Sequence, residues 1–468
     1  MVSLPENGTE LKTILGQLDN ALLVKALEGA RKVYKLILER TDETLAKHHG
    51  PGLQIEHLRD VWYQTCLGPV KVRRRQYWDG ESHRYLLDEM MGMNKRSHVT
   101  NGVQVLALDL ASTMPYRRSA DVLRKTSAID MTHQTIWRLV AKAADTYLKK
   151  TDQELKWFQE TGEIPASDGK QIARLMVEAD GVMLSLQREK ERKIEVKLGI
   201  AYEGWERVGK DRFRTVNKTI FATVTGGDTF WAEMSLKLQK RYDLSRVGET
   251  IIGGDGATWV KEGASYVNGQ FQLDRYHLNK ELTTALGQDK ETKGKVWQAC
   301  QCGDVETGLR IMAEAMKQAK GEQAQRIAKA YHYLHANSNG VADYRMKLGE
   351  EGKGLRRTGA MEGNVDKLVV RRMKNQGMSW SLQGIRRLLC VRFLVLEGKL
   401  SGWLSERKSA LPLIGLSAKK IRKIVTNLSE QEPGAWLQAG LPALYGPHAS
   451  YPWVRVLITI METPTFRL

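Results

Sequence analysis

Two short apolar runs in this chain each end in an aspartate followed by a glycine: Leu175-Met176-Val177-Glu178-Ala179-Asp180-Gly181 and Ile251-Ile252-Gly253-Gly254-Asp255-Gly256. Strand ends in open α/β sheets are where ligands bind. Two carboxylates brought together there repel each other, and a divalent cation removes the repulsion. Mg²⁺ and Mn²⁺ are hard cations that take a few carboxylates together with water and phosphate oxygens. A pair of such ions activates the attacking oxygen and stabilises the leaving one in phosphodiester chemistry. A third acid completes a site of this kind, and Glu362, in Gly359-Ala360-Met361-Glu362-Gly363-Asn364-Val365, is the candidate. Taken singly, an Asp-Gly pair is a turn signal; it is the ordered set that points to chemistry. Asn364 is a fair N-cap and would start a helix after Glu362 rather than around it.

Such acids need a sheet to hold them. The pattern predicts strands at 175–180, 193–202 and 219–224, then a helix at 229–239, then strands at 249–255 and 271–274 leading into a helix from about His277. Residues 280–350 read as helical almost throughout and look like an all-helical insertion into the β-region. A helix is expected at 363–375. Gly162, Pro165, Ser167 and Gly169 make 154–170 read as a linker.

Ahead of the linker, residues 9–48 have helical spacing, and Val70-Lys71-Val72-Arg73-Arg74-Arg75-Gln76-Tyr77-Trp78 starts as an alternating, strongly basic strand, with Asp79-Gly80 as a hairpin turn. This strand is either a solvated edge or a ribbon whose Arg73, Arg74 and Arg75 contact phosphates. Three helices are expected over 100–150. The third is N-capped by Thr132 and buries Ile136, Leu139, Val140, Ala143, Ala144 and Tyr147 in one stripe. Its other side offers Gln134, Thr135, Arg138 and Lys142, the layout of a helix-turn-helix whose recognition helix reads the major groove.

Composition narrows the function classes. The 468 residues hold 72 Lys+Arg against 54 Asp+Glu, a net charge of +18, and the pI is near 9.6. That balance favours polyanionic partners, nucleic acid above all. There is no run of ~18 apolar residues to span a membrane, and the start of the chain lacks the pattern of a secretory signal. The four cysteines form neither a disulfide framework nor a zinc spacing, as expected for a reducing cytosol.

The ordered pattern resembles bacterial insertion-sequence transposases of the ISLre type and their mutator-like relatives, which carry a DDE triad on an RNase H-like fold. The carrying residues are Glu178-Ala179-Asp180-Gly181, Gly253-Gly254-Asp255-Gly256-Ala257-Thr258-Trp259, Leu273-Asp274-Arg275-Tyr276-His277 and the segment around Glu362. The resemblance implies a helical, helix-turn-helix DNA-binding region followed by an RNase H-like mixed-sheet catalytic domain with an all-helical insertion. On that reading 1–99 is an N-terminal helical and hairpin region and 100–165 the helix-turn-helix with its linker. The catalytic core occupies 166–280 and 356–400, the insertion 281–355, and 401–468 is a tail with a helix at 418–428. Asp180, Asp255 and Glu362 would hold two Mg²⁺ or Mn²⁺ ions. Asp274 and His277 match a C/D-x-x-H motif and would organise the site or approach the scissile phosphate; for His277, orienting the strand–helix junction is the other reading. Trp259 would pack the following helix or stack on an unpaired base. Arg371 and Arg372, with Arg386 and Arg387, would neutralise backbone phosphates. The implied partners are double-stranded DNA, as element ends and as target, and further copies of the chain in at least a dimer, with no membrane. The implied location is the bacterial cytoplasm at the nucleoid. An RNase H-like nuclease that cuts without joining and a transposase-derived DNA-binding protein are the alternatives.

Overall fold

The computed structural model describes residues 8–93, 98–164, 167–375 and 377–406. The helix expected at 418–428 lies outside them. The chain divides into two compact units. One holds the described residues up to Ala111, Tyr116–Ile136 and 401–406; the other holds Ser112–Pro115 and Trp137–Leu400. No described helix is long and apolar enough to cross a membrane.

The first unit opens with a long helix, α1 (Gly8–Lys47), then β1 (Gln54–Thr65), β2 (Gly68–Trp78), β3 (His83–Arg84) and the short α2 (Leu86–Met90). The three strands form an antiparallel sheet in the order β1-β2-β3. The Asp79-Gly80 turn joins β2 to β3, as the sequence predicts, but the longer partner of β2 is β1. Val61, Tyr63, Val70, Val72 and Tyr77 are buried with Leu38 and Leu45 of α1 and Leu86 and Leu87 of α2. Alternation along β2 turns Arg74 inward with Val70 and Val72. Three helices follow, α3 (Asn101–Thr113), α4 (Tyr116–Ser127) and α5 (His133–Thr161), of which α5 belongs to the second unit from Trp137 on. α5 runs two turns into the stretch expected as a linker and stops at Gly162, whose φ of 72° suits a helix C-terminus.

The second unit is built on a five-stranded mixed sheet. β4 (Arg174–Ser185), β5 (Lys193–Tyr202) and β8 (Thr219–Thr223) form an antiparallel meander, with a small hairpin of β6 (Trp205–Arg207) and β7 (Phe213–Thr215) between the last two. After α6 (Gly227–Gln239) come β9 (Glu249–Gly254), α7 (Thr258–Tyr266) and β10 (Gln270–Leu273). β9 lies parallel to β4 and β10 parallel to β9, giving the order β10-β9-β4-β5-β8. The period-2 pattern of β4 divides its side chains between two cores. Leu175, Val177 and Ala179 pack with Phe230, Trp231, Met234 and Val260 of α6 and α7. Met176, Val182 and Leu184 face the other way and meet a later helical layer.

That layer arrives after four helices with a core of their own, α8 (Arg275–Leu286), α9 (Lys290–Gln301), α10 (Val305–Gln318) and α11 (Gly321–Ala336). The short α12 (Tyr344–Lys347) follows. α13 (Met361–Val365), a π-turn (Asp366–Val370) and α14 (Arg371–Met373) then make one helical run. With α15 (Leu382–Leu396) this run lays Met361, Leu368, Val369, Leu388 and Leu389 on the sheet. α16 (Leu400–Glu406) ends the described chain.

A cavity of about 550 Å³ lies beside β8, lined by α5, α6 and α15. At the outer edge of β8, Lys237 Nζ donates to the Ile220 carbonyl (2.6 Å) and to Glu397 (2.7 Å), and Glu397 accepts the Ile220 N–H (3.0 Å). In the same wall, burial pushes the Glu233 carboxyl up to about 7, with Asp152 adding and Arg386 opposing. Between the ordinary value of 4.5 and about 7, the folded chain binds a proton that the unfolded chain releases. Stability therefore falls as pH rises through that window, and the penalty is complete above it. Glu233→Gln removes the titration. In thermal melts the variant should gain about 2 kcal/mol over the parent at pH 8, and the gap should close toward pH 4.5.

Candidate functional site

Asp180 sits on β4 one residue beyond the last pair that β4 makes with β9, Ala179 with Gly254. Asp255 is the first residue after β9, and Asp274 the first after β10. The three acids thus stand at one level across three adjacent parallel strands, Asp255 and Asp274 just past the ends of β9 and β10 and Asp180 within β4, which runs on to Ser185 beside β5. Burial pushes the Asp180 carboxyl up; Asp255 and Asp274 add to the shift, and the Gly181 N–H and His277 oppose it. Asp180 therefore lies within electrostatic range of Asp255, Asp274 and His277, three of the four residues that the sequence grouped with it.

The backbone holds each acid differently. Asp180 accepts the Gly181 N–H at 2.7 Å. Asp255 accepts the Ala257 N–H at 2.9 Å, and its carbonyl takes a hydrogen bond from the Tyr333 hydroxyl of α11 at 2.6 Å. Gly256 has a φ of 89°, and a Cβ there would stand 2.5 Å from the Asn337 side chain, so only glycine fits the turn behind Asp255. Asp274 caps α8 by accepting the Tyr276 N–H at 2.7 Å. His277, half-buried, lies one turn into that helix with its ring edge-on to Tyr276. Trp259 packs against Phe230 and Trp231, with ring centroids 5.2 and 6.5 Å away.

Glu362 is the second residue of α13, so the helix starts before it and not at Asn364. Asn364 instead donates back to the Ala360 carbonyl at 2.6 Å. The Glu362 carboxylate is exposed and makes no hydrogen bond or ion pair with any described residue. Among the described residues, no three His, Cys, Asp or Glu side chains converge closely enough to enclose a metal ion. The donor chemistry nonetheless suits a hard cation: carboxylate oxygens, partly open to solvent, at neighbouring strand ends.

Glu178 lies in the first acidic motif, and its sequence context alone points to no role. It is 1% exposed. Its carboxylate accepts hydrogen bonds from the Tyr202 hydroxyl and from the N–H groups of Gly359 (3.0 and 3.1 Å), Ala360 (3.1 Å) and Met361 (2.9 Å). Burial pushes this carboxyl up, and those same donors oppose the shift. The only trace in the sequence is an acid inside an otherwise apolar strand, two residues before Asp180.

The basic candidates are placed unevenly. Gln134, Arg138 and Lys142 are exposed along α5, and the stripe of Ile136, Leu139, Val140, Ala143 and Ala144 is buried as expected. Thr135 is tied to the cap: its N–H donates to the Thr132 hydroxyl at 3.2 Å and its own hydroxyl lies 3.0 Å away. Of the three arginines on β2, Arg73 is exposed and paired with Asp60, and Arg75 is paired with the buried Asp42 at 2.6 Å. Arg74 is 4% exposed, lies 3.0 Å from Asp88 and covers the Tyr85 ring at 3.5 Å, out of reach of a phosphate backbone. Arg371 is exposed beside Asp366. Arg372 is 2% exposed and lies over Trp380. Arg387 forks onto Asp145 at 2.7 and 2.6 Å.

Residues 6–408 match the family model described as "Uncharacterised protein family (UPF0236)". Among similar proteins is the UPF0236 protein TTE2489 of Caldanaerobacter subterraneus subsp. tengcongensis, 24% identical over 401 residues, covering 84% of this chain and 79% of that protein. Another from the same organism is 25% identical over 404 residues, covering 84% of this chain and 78% of its own length. Its printed name joins eleven loci, from TTE0033 to TTE2212. The "UPF0236 protein in vanSb 3'region" of Streptococcus gallolyticus is 25% identical over 407 residues, covering 83% of this chain and 85% of that protein.

Proposed function

The chain belongs to the UPF0236 family, and we propose that it is a DDE-type transposase that cuts the ends of a mobile DNA element and joins them to target DNA. The observation that carries this reading is the row of Asp180, Asp255 and Asp274 at one level across three adjacent parallel strands, with Glu362 on a helix that packs on the same sheet. The order of elements supports an RNase H-like core: an antiparallel meander, a helix, then two parallel strands, with a helical insertion before the last acid. A relative whose name covers eleven loci of one genome fits a mobile element.

Asp180, Asp255 and Glu362 would hold two Mg²⁺ or Mn²⁺ ions, which supply activation of the attacking oxygen and stabilisation of the leaving one. In cleavage, water attacks the phosphorus, the bond to the 3′ oxygen breaks and a 3′-hydroxyl is freed. In joining, that hydroxyl attacks the phosphorus of a target phosphodiester, the bond to the target's 3′ oxygen breaks, and the target strand is left with a free 3′-hydroxyl. The protein's part is to fix geometry and charge. β4 holds Asp180 in a rigid strand, the Gly256 turn aims Asp255, and Asp274 fixes the start of α8 so that His277 faces the row. The exposed side of α5, with Gln134 and Arg138 for base edges and Lys142 for phosphate, would read the element ends in helix-turn-helix fashion. Two ends must be held together, which calls for at least a dimer.

The test is a duplex carrying the element's own ends, incubated with Mg²⁺ or Mn²⁺ and, in parallel, with EDTA. Metal-dependent nicks at the ends together with joined products are expected. Nicks without joining would make the chain a nuclease. The second reading is a transposase-derived DNA-binding protein, which binding with no nicking under either metal would establish.

A further inference from the structure

We infer that Glu178 is the positioning residue of the acidic site, a buried clamp that sets all three acids from one point. This rests on the reading of Asp180, Asp255 and Glu362 as the site's acids. The clamp has three arms. Glu178 stands on β4 two residues before Asp180. Its partner across the parallel ladder is Gly253, two residues before Asp255. Its carboxylate takes the N–H groups of Gly359, Ala360 and Met361, the last of them next to Glu362.

Gly253 makes this reach possible. A Cβ at Gly253 would stand 3.1 Å from Glu178 Cγ and 3.2 Å from Thr358 Cβ. Without one, the Glu178 side chain crosses β9 and meets the 359–361 backbone. Those N–H groups open the helical run that carries Glu362, and helix-start N–H groups have no partner within the helix. One carboxylate with two acceptor oxygens satisfies all three, and Tyr202, held on β5, orients it. A four-residue approach with Gly359 at a φ of 130° could settle in several places without that anchor. With it, Glu362 follows β4 and β9, the strands that carry the other two acids.

The chemistry demands a carboxylate of this length. Aspartate is one methylene short. Glutamine keeps the length but replaces one acceptor with an NH₂ that faces backbone N–H donors. Glu178→Gln should therefore release the helix start while leaving the strand apolar packing intact. Gly253→Ala should press on the same clamp from the β9 side, with a smaller effect in the same direction.

The experiment uses the full chain and two readouts. Hydrogen exchange followed by mass spectrometry reads the 359–365 amides without any metal. Calorimetric titration with Mn²⁺ reads the acids. Glu178→Gln should speed exchange at 359–361 by about 100-fold or more with α15 amides unchanged, and weaken Mn²⁺ binding about tenfold or more, the usual cost of losing an outer-shell partner. Leu389→Ala, a core change in α15, serves as the comparison and should leave Mn²⁺ affinity within about threefold. Unchanged exchange at 359–361 in both Glu178→Gln and Gly253→Ala would overturn the clamp. Faster exchange with unchanged Mn²⁺ affinity, or an equal loss of affinity in Leu389→Ala, would reduce Glu178 to general support of the fold and overturn its positioning role. A parent chain that binds no Mn²⁺ but loses protection in Glu178→Gln would overturn the metal reading of the three acids and leave the clamp standing.

Discussion

Asp255→Asn is expected to lower strand cleavage by on the order of 10³-fold, about 4 kcal/mol of barrier, while binding to the element ends stays within about twofold. The substitution is chosen to separate charge from shape. Asparagine keeps an oxygen that accepts the Ala257 N–H, so the turn behind β9 survives, as does the Tyr333 contact, which uses the backbone carbonyl. What disappears is one negative charge from the row. A carboxylate that also repels Asp180 is the type of ligand that a hard cation rewards and that an amide replaces poorly. Cleavage products on a denaturing gel and a mobility shift on the same duplex make the comparison. A variant that still cuts at the parent's rate removes Asp255 from the site. A variant that loses cutting and binding together shows a folding defect and has to be replaced by Asp180→Asn.

Asp88→Ala should cost the first unit about 3–5 kcal/mol, the range found when one partner of a buried ion pair is removed. Asp88 is 2% exposed and Arg74 4%. Arg74 lies 3.0 Å from Asp88, and the Tyr63 hydroxyl also donates to that carboxylate. Alanine leaves a buried guanidinium without its counter-charge and a buried hydroxyl without its acceptor. In a thermal melt the transition of the first unit should fall by roughly 10 °C or more. Asp60→Ala supplies the contrast on the same sheet. Asp60 is paired with Lys71 at 2.9 Å and Arg73 at 3.2 Å, but on the solvent side, and its loss should cost less than about 1 kcal/mol. Equal effects from the two would mean that the Arg74 pair is solvated in solution.

What could be read from the sequence follows from how local each signal is. The strands that carry or lead into Asp180 and Asp255 are dense apolar runs that identify themselves, but Asp180-Gly181, which reads as a strand end, lies inside β4, because pairing with β5 carries the strand on to Ser185. The stripe of α5 has the same clarity, because five of its positions are fully or nearly buried on one side. β1 is not legible: of its twelve residues only the last few touch the core, and the first seven are all exposed, with no alternation to betray a strand. The run Arg73-Arg74-Arg75 looks uniformly basic in sequence, yet the pleat sends its middle member inside. Which arginine goes in depends on the register with β1 and on an aspartate fourteen residues on. The true length of α5 was hidden by glycines and a proline that lie just after it. Glu178 is the clearest case of a non-local role. Its backbone partners lie 181 to 183 residues away, and no period or motif connects them. The start of the Glu362 helix was misjudged for the same reason: Asn364 is a plausible cap by local rules, but the cap in use comes from another strand.

The ion pair of Lys237 and Glu397 at Ile220 has a meaning beyond its own stability. An outer strand normally offers its unpaired N–H and C=O groups to any other strand that comes near, and native proteins have to block that invitation. Here an amine from α6 and a carboxylate from the residue that follows α15 supply the donor and the acceptor that a sixth strand would have brought. The sheet is thereby sealed at Ile220 by chemistry instead of by bulk. Copies of this unit crowded together cannot zip into a shared ribbon through that residue.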